Sequence, residues 1–86
     1  MKTAFLLLAQ YSGQAVVPID VVCRDYFAPL TVATLLRKIG AGEIRLPVVR
    51  MEKSQKGAKG VHVADLAAYI DGRRAAAIKE CEQLCS

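Results

Sequence analysis

The order of local signals in residues 35–50, LLRKIGAGEIRLPVVR, decides the fold: a basic helix end is followed by a glycine stop and a short strand. Thr31 is a good N-cap, and the helix that it opens should run to about Ala41, with Gly42 as its left-handed stop. At about 100° per residue, the apolar positions gather on one side of this helix, namely Val32, Leu35, Leu36 and Ile39. The opposite side gathers Thr34, Arg37, Lys38 and Ala41. The pattern therefore predicts an amphipathic helix with a basic outer face.

A second short helix is predicted immediately before this one. Asp20 is a suitable N-cap, and the residues that follow it up to Phe27 place their apolar side chains on one face. Pro29 disfavours the helical conformation at Ala28 and ends the helix there. Two short helices joined by a tight turn, the second with a basic outer face, are typical of a helix-turn-helix, here over about residues 20–41. The alternative is an ordinary amphipathic helix with a solvated basic face.

The helix-turn-helix interpretation assigns DNA contacts to the outer face of the second helix. Arg and Lys side chains reach guanine edges or phosphates in the major groove, and small side chains permit close approach. The predicted recognition-helix contacts are Thr31, Thr34, Arg37 and Lys38.

A β-hairpin with a cationic tip is predicted next, over about residues 43–63. Glu43 to Glu52 should form a strand, and Pro47 indicates an edge or bulged strand. Residues 53–60, KSQKGAKG, should form a flexible loop, and residues 61–63 should return as the partner strand. Such a hairpin would act as a wing whose cations lie along the DNA backbone or enter the minor groove. The predicted wing contacts are Arg45, Arg50, Lys53, Lys56, Lys59 and His62.

The excess positive charge is confined to this middle region. Residues 37–59 carry seven cations and two acids, a net charge of +5, and the other residues carry five cations and six acids, a net charge of −1, which together give +4. A concentrated basic segment is the footprint expected of a phosphate-binding surface. A solvated lysine-rich loop is the competing interpretation.

The two ends of the chain are predicted to complete a small core. Residues 3–11 form a short helix or a buried strand, and Phe5, Leu6, Leu7 and Leu8 are expected to be core rather than part of a signal peptide. The pattern of residues 64–84 predicts one helix, which is longer than a small core can cover. Its second half, residues 75–84, is therefore a candidate homodimer surface, with a frayed tail as the alternative. The apolar stripe of this helix comprises Leu66, Tyr69, Ile70, Ala77, Cys81 and Leu84.

Catalytic and metal-binding patterns are absent from the sequence. His62 is the only histidine, and no nucleophile is placed beside it by sequence. Three cysteines, Cys23, Cys81 and Cys85, do not form a metal-binding pattern, and core or interface packing is the expected role. An intermolecular disulfide between two C-terminal helices is a further alternative. We expect no enzyme, no cofactor, no metal, no membrane span and a cytoplasmic location.

Several strings of the sequence resemble the pyocin activator protein family. They are Leu8-Ala-Gln-Tyr11, Val22-Cys-Arg-Asp-Tyr-Phe27, Leu35-Leu-Arg-Lys-Ile39, Ala41-Gly-Glu-Ile44, Ser54-Gln-Lys56, Gly60-Val-His62 and Asp65-Leu-Ala-Ala-Tyr-Ile-Asp71. The resemblance extends over almost the whole chain. It implies a positive transcriptional regulator of prophage-derived bacteriocin genes in Pseudomonas-like bacteria, acting at boxes upstream of its targets, with RNA polymerase as a possible partner.

The predicted fold is α+β, a single winged helix-turn-helix domain over residues 1–86 with a long C-terminal helix. The layout also resembles phage excisionases and their small winged-helix relatives, which bend DNA for recombination. A third hypothesis is a small antirepressor-type protein whose basic middle region binds an acidic partner. Sequence-specific binding to double-stranded DNA separates the first two hypotheses from the third.

Overall fold

The computed structural model describes residues 2–53 and 57–86 as a mixture of helices and one small antiparallel sheet. The described elements are α1 (Thr3–Gln10), β1 (Val16–Pro18), α2 (Ile19–Tyr26), α3 (Val32–Gly40), β2 (Val49–Arg50), β3 (Lys59–His62) and α4 (Val63–Cys85). The α+β class is confirmed. Among the described residues, no helix combines the length and the apolar character that crossing a membrane requires.

The sheet has β3 at its centre, with β1 on one side and β2 on the other. Gly60 lies opposite Pro18 of β1 and opposite Val49 of β2. A Cβ atom at this position would lie 2.7 Å from the Val16 Cγ1 atom and 2.7 Å from the Val17 carbonyl oxygen. Because side chains do not pack this closely, the approach of β1 to β3 requires glycine at position 60.

The core lies between the sheet and the helices. Its fully buried large side chains come from five described elements and are Val17, Val22, Leu35, Val61 and Leu66. α1 packs on α4, and α2 packs on α3 and on β3. The rings of Phe27 and Tyr69, 5.6 Å apart between centroids, extend this core at the end of α2.

Residues 3–10 are helical, and α1 buries one face only. Leu7 is buried and Leu8 is half-buried, whereas Phe5 and Leu6 are 63% and 54% exposed. The prediction that all four are core is therefore wrong for Phe5 and Leu6. The two side chains are exposed because the helical period turns adjacent residues to different sides of α1.

The boundaries of α2 differ from the prediction at its start. The helix begins at Ile19 with Pro18 as N-cap residue, so Asp20 lies in the first turn and is not the cap. An acidic residue in the first turn still stabilises the helix dipole. The helix ends at Tyr26, before Pro29, as expected. Buried Cys23 donates its thiol hydrogen bond to the Leu30 carbonyl oxygen at 3.1 Å, which confirms its core role and ties α2 to the turn.

The strand prediction for residues 43–52 is wrong in extent, because only Val49 and Arg50 pair with β3. The N–H groups of Glu43 and Ile44 donate to the Lys38 carbonyl oxygen and are therefore occupied by the end of α3. Pro47 has no N–H to give to a ladder. The returning strand also begins earlier than predicted, at Lys59, and ends at His62.

α4 divides into a packed half and an exposed half. Val63, Leu66 and Ala67 are buried, and Tyr69 and Ile70 pack against the core. Every residue from position 71 to position 86 is exposed, including Ala77, Cys81 and Leu84 of the predicted apolar stripe. Core packing as the role of Cys81 and Cys85 is therefore wrong, because this half of α4 projects past the rest of the domain.

Candidate nucleic-acid interface

The amino-terminal end of α3 is built by two threonines. The hydroxyl oxygen of Thr31 accepts the Thr34 backbone N–H at 3.1 Å, which confirms Thr31 as the N-cap. The Thr31 hydroxyl in turn donates to the Thr34 hydroxyl oxygen at 2.9 Å. Such a cap satisfies one of the N–H groups that a helix leaves without a partner. Both threonines thus shape the helix end as well as lining its outer side.

The carboxyl-terminal end of α3 is closed by a Schellman turn. Gly42 has a φ of +77°, its N–H donates to the Ile39 carbonyl oxygen, and the Glu43 N–H donates to the Lys38 carbonyl oxygen. A left-handed residue at this position favours glycine, so the predicted stop at Gly42 is confirmed. The turn fixes where α3 ends and where the chain leaves it.

The basic residues of α3 lie on the side away from the core. Leu35 is fully buried, whereas Arg37 is exposed and Lys38 is half-buried. In the part of the chain that the structure describes, the one ion pair joins Arg24 to Asp25, so Arg37 and Lys38 have no carboxylate partner there. Two cations in the last turn also suit the negative end of the helix dipole. Arg37 is thus available to an outside partner.

The hairpin brings two predicted contacts directly opposite each other. Arg50 of β2 pairs with Lys59 of β3 in the antiparallel register, and directly paired residues point to the same face at a Cβ separation of roughly 5 Å. Like charges directly opposite each other weaken strand pairing. The Met51 N–H donates to the Ala58 carbonyl oxygen at 3.0 Å and continues the hairpin beyond the pair.

The remaining predicted wing residues are dispersed. Lys53 is exposed in the loop, and Lys56 lies outside the described residues. Arg45 lies in the irregular segment after α3, where it lines a groove of about 560 Å³ with Asp65, Tyr69 and Arg73 of α4. The structure therefore places Arg45 beside α4 rather than in the hairpin.

His62 has a structural role that its sequence context did not indicate. Its Nδ1 atom accepts the Ala64 backbone N–H at 3.0 Å, so this exposed histidine is the N-cap of α4. Any contact with phosphate would use its other ring nitrogen. Within the described residues, no three His, Cys, Asp or Glu side chains gather as metal ligands.

A polar cluster that no local sequence pattern predicts holds α2 against the end of α1. The Tyr11 hydroxyl donates to Asp25 at 2.8 Å, and the Tyr26 hydroxyl donates to Gln10 at 2.6 Å. The hydrogen bond from Arg24, and to a smaller extent the one from Tyr11, lowers the pKa of Asp25. Burial, and to a smaller extent the hydrogen bond to Asp25, raises the pKa of Tyr11. The partners lie on different elements, so no local pattern marks them.

The family model that describes the pyocin activator protein PrtN matches residues 3–77. The chain belongs to the pyocin activator protein family. This family is defined by an activator and not by a catalysed reaction. Neither a curated protein nor a solved structure is significantly similar to the chain. The match covers every described element up to the middle of α4 and confirms the resemblance that the sequence strings indicate.

Proposed function

We propose that this protein is a sequence-specific DNA-binding transcriptional activator of prophage-derived bacteriocin genes, which binds boxes upstream of their promoters. The observation that carries the proposal is the family match over residues 3–77. The proposed site of action is the cytoplasm, where the promoter DNA lies.

We interpret α2, the turn and α3 as the helix-turn-helix, and β2 with β3 as the wing of a winged helix. Three features support this interpretation: α3 is capped at both ends, its buried face is centred on Leu35, and Arg37 is exposed. The hairpin is the next element after α3 along the chain, beyond an irregular segment, and it carries Arg50 opposite Lys59. A capped helix with a basic outer face suits the major groove, and a cationic hairpin suits the backbone beside it.

Within this proposal, the two regions have different roles. Arg37, with Lys38, Thr34 and Thr31 beside it, would contact base edges and nearby phosphates. Arg50, Lys59 and Lys53, together with Lys56, would neutralise phosphates without reading sequence. Base contacts decide which site is chosen, and phosphate contacts set the affinity for every site.

RNA polymerase is the proposed second partner, because an activator has to raise transcription from the promoter that it binds. The contact would use a surface away from the DNA. The N-terminal residues, Glu80 and Glu82 are the candidates, and all of them that the structure describes lie outside α3 and the hairpin.

A promoter reporter tests the proposed function. The upstream region of a bacteriocin gene drives the reporter in a host that lacks integrase, and we expect activation by the wild-type protein. Arg37→Ala should abolish most of the activation, because one good base contact favours the correct base over a wrong one by about 1–3 kcal/mol. Lys79→Ala on α4 removes the same charge and is the control.

Activation that survives in Arg37→Ala at equal protein levels would contradict the role of α3. An inactive wild-type protein would contradict activation itself. If the wild-type protein instead bends its box in a circular-permutation assay, the excisionase-like alternative would replace the proposal.

A further inference from the structure

Among the described residues, the distal half of α4 extends past the domain and is exposed along its whole length. The Thr3 hydroxyl donates to Asp71, which ties the start of α1 to α4 at this position. From Gly72 to Cys85, which we call the overhang, every residue is exposed. At about 1.5 Å per residue, the overhang continues for roughly 21 Å. It accounts for much of the 50 Å length of the molecule.

The overhang continues the face by which α4 packs on its own domain. Ile70 packs against the core, and at helical spacing Ala77, Cys81 and Leu84 fall on the same side. Leu84 is 78% exposed and Ile78, beside this stripe, is 41% exposed. An apolar stripe that extends past its own core is a surface for another helix.

The charges that flank the apolar stripe of one overhang complement those of a second overhang that runs in the opposite direction. Arg73 and Arg74 lie at its base, and Glu80 and Glu82 lie near its tip. Lys79 also lies near the tip, but it is about 200° round the helix from Ala77 and so points away from the stripe. Arg73 and Glu80 are seven residues apart, two helical turns, so they flank the same edge of the stripe. A parallel pair of overhangs would set like charges against each other. An antiparallel pair sets Arg73 of each chain against the partner's Glu80.

We propose that two copies of this chain dimerise through an antiparallel pairing of their overhangs, with the two-fold axis near Ala76 and Ala77. The interface is isologous, so each favourable contact occurs twice. Small side chains at the axis let the two helices approach closely, and Arg73 and the partner's Glu80 flank them on both sides.

The end of each overhang gains a further apolar contact in this arrangement. With the axis between residues 76 and 77, Leu84 of one chain lies level with the partner's Tyr69 and Ile70.

The dimer goes beyond the proposed function and does not depend on it. If both hold, the two-fold axis carries two copies of α3, and the bound box should have an inverted repeat. The oligomeric state is measured without DNA, so failure of one proposal leaves the other open to its own test.

Sedimentation equilibrium from about 1 μM to about 1 mM protein measures the dimer affinity. We expect Glu80→Arg to raise the dimer Kd at least about tenfold, because two attractive pairs become repulsive. The double variant Arg73→Glu with Glu80→Arg exchanges the charges and should restore the wild-type Kd within about threefold. Glu82→Arg makes the same charge change further from the stripe and is the control. Circular dichroism establishes that each variant retains its helices.

Four results would overturn the proposal. A wild-type protein that stays monomeric over the whole range contradicts the dimer. Equal weakening by Glu80→Arg and Glu82→Arg, or failure of the double variant to restore the affinity, contradicts the antiparallel pairing. Oxidative crosslinking of native Cys81 to the partner's Cys81 also contradicts it, because these residues would lie about 14 Å apart along the axis, too far for a disulfide.

Discussion

α3 and the β2–β3 hairpin both belong to the basic middle of the chain, but they are held in place by different means. α3 carries its own determinants: the Thr31 cap, the buried Leu35 and the Gly42 turn lie within a dozen residues. The hairpin depends on contacts with a distant strand, because Gly60 must lie against β1 and β2 pairs through only two residues. A helix capped at both ends and a weakly paired hairpin therefore share one basic region of the chain. We expect the first to be tolerant of changes in the sheet and the second to be sensitive to them.

Leu35→Ala should give the largest effect, because Leu35 is fully buried where α3 meets the core. Removing a buried leucine side chain costs about 2–5 kcal/mol of the free energy of unfolding. Urea denaturation followed by circular dichroism measures the loss. Leu6→Ala on α1, where the side chain is 54% exposed, is the control and should change the free energy of unfolding by less than about 1 kcal/mol. Equal losses in both variants would contradict the role of Leu35 in anchoring α3.

Gly60→Ala should give the next largest effect and should act on the hairpin. The added methyl group meets Val16 Cγ1 and the Val17 carbonyl oxygen at 2.7 Å, and such overpacking costs about 1–3 kcal/mol of unfolding free energy. Gly72→Ala is the matched control, since its Cβ meets nothing within 4 Å in the helix and should stabilise by about 0.5–1 kcal/mol. Hydrogen exchange at the amides of β3 locates the loss. Opposite signs in the two variants are expected, and a neutral Gly60→Ala would refute the close approach.

Thr31→Ala tests the local support of α3. Losing the hydroxyl that accepts the Thr34 N–H should lower the free energy of unfolding by about 1 kcal/mol. Thr31→Ser retains the hydroxyl and should lose much less. Thermal unfolding of the three proteins under one buffer separates them, and an equal loss in the serine variant would argue that the methyl group, not the cap, matters.

Arg50→Ala should leave stability almost unchanged and alter DNA binding instead. Because Arg50 is exposed and is proposed to contact phosphate, its removal should weaken binding to all duplexes alike. The slope of log K against log salt should fall in magnitude by about 0.9, the value for one phosphate contact. Fluorescence anisotropy at several salt concentrations provides the slope. An unchanged slope would remove Arg50 from the interface.

The helices were predicted from the sequence more accurately than the strands, for physical reasons. In α3, the cap, the apolar period and the glycine stop are all local, so the sequence predicts its extent within one residue. The strands depend on partners far along the chain: β3 pairs with β1, and the N–H groups of residues 43 and 44 are taken by α3. Phe5 and Leu6 were misjudged because a short apolar run does not reveal which face is covered.

The same distinction holds for the candidate site. The exposure of Arg37 follows from the helical period, so it was predicted. The position of Arg45 beside α4 and the capping role of His62 depend on tertiary structure, and neither was predicted. The facing pair Arg50 and Lys59 required the strand register, which the sequence pattern did not provide.

Sequence-specific DNA binding is tested directly by letting the purified protein select DNA from a pool of random duplexes at physiological salt and sequencing the retained molecules. We expect an enriched motif for the wild-type protein and loss of that enrichment in Arg37→Ala, because one good base contact discriminates between the right and the wrong base by about 1–3 kcal/mol. Retention without enrichment, or no retention at all, would contradict a sequence-specific DNA-binding activator.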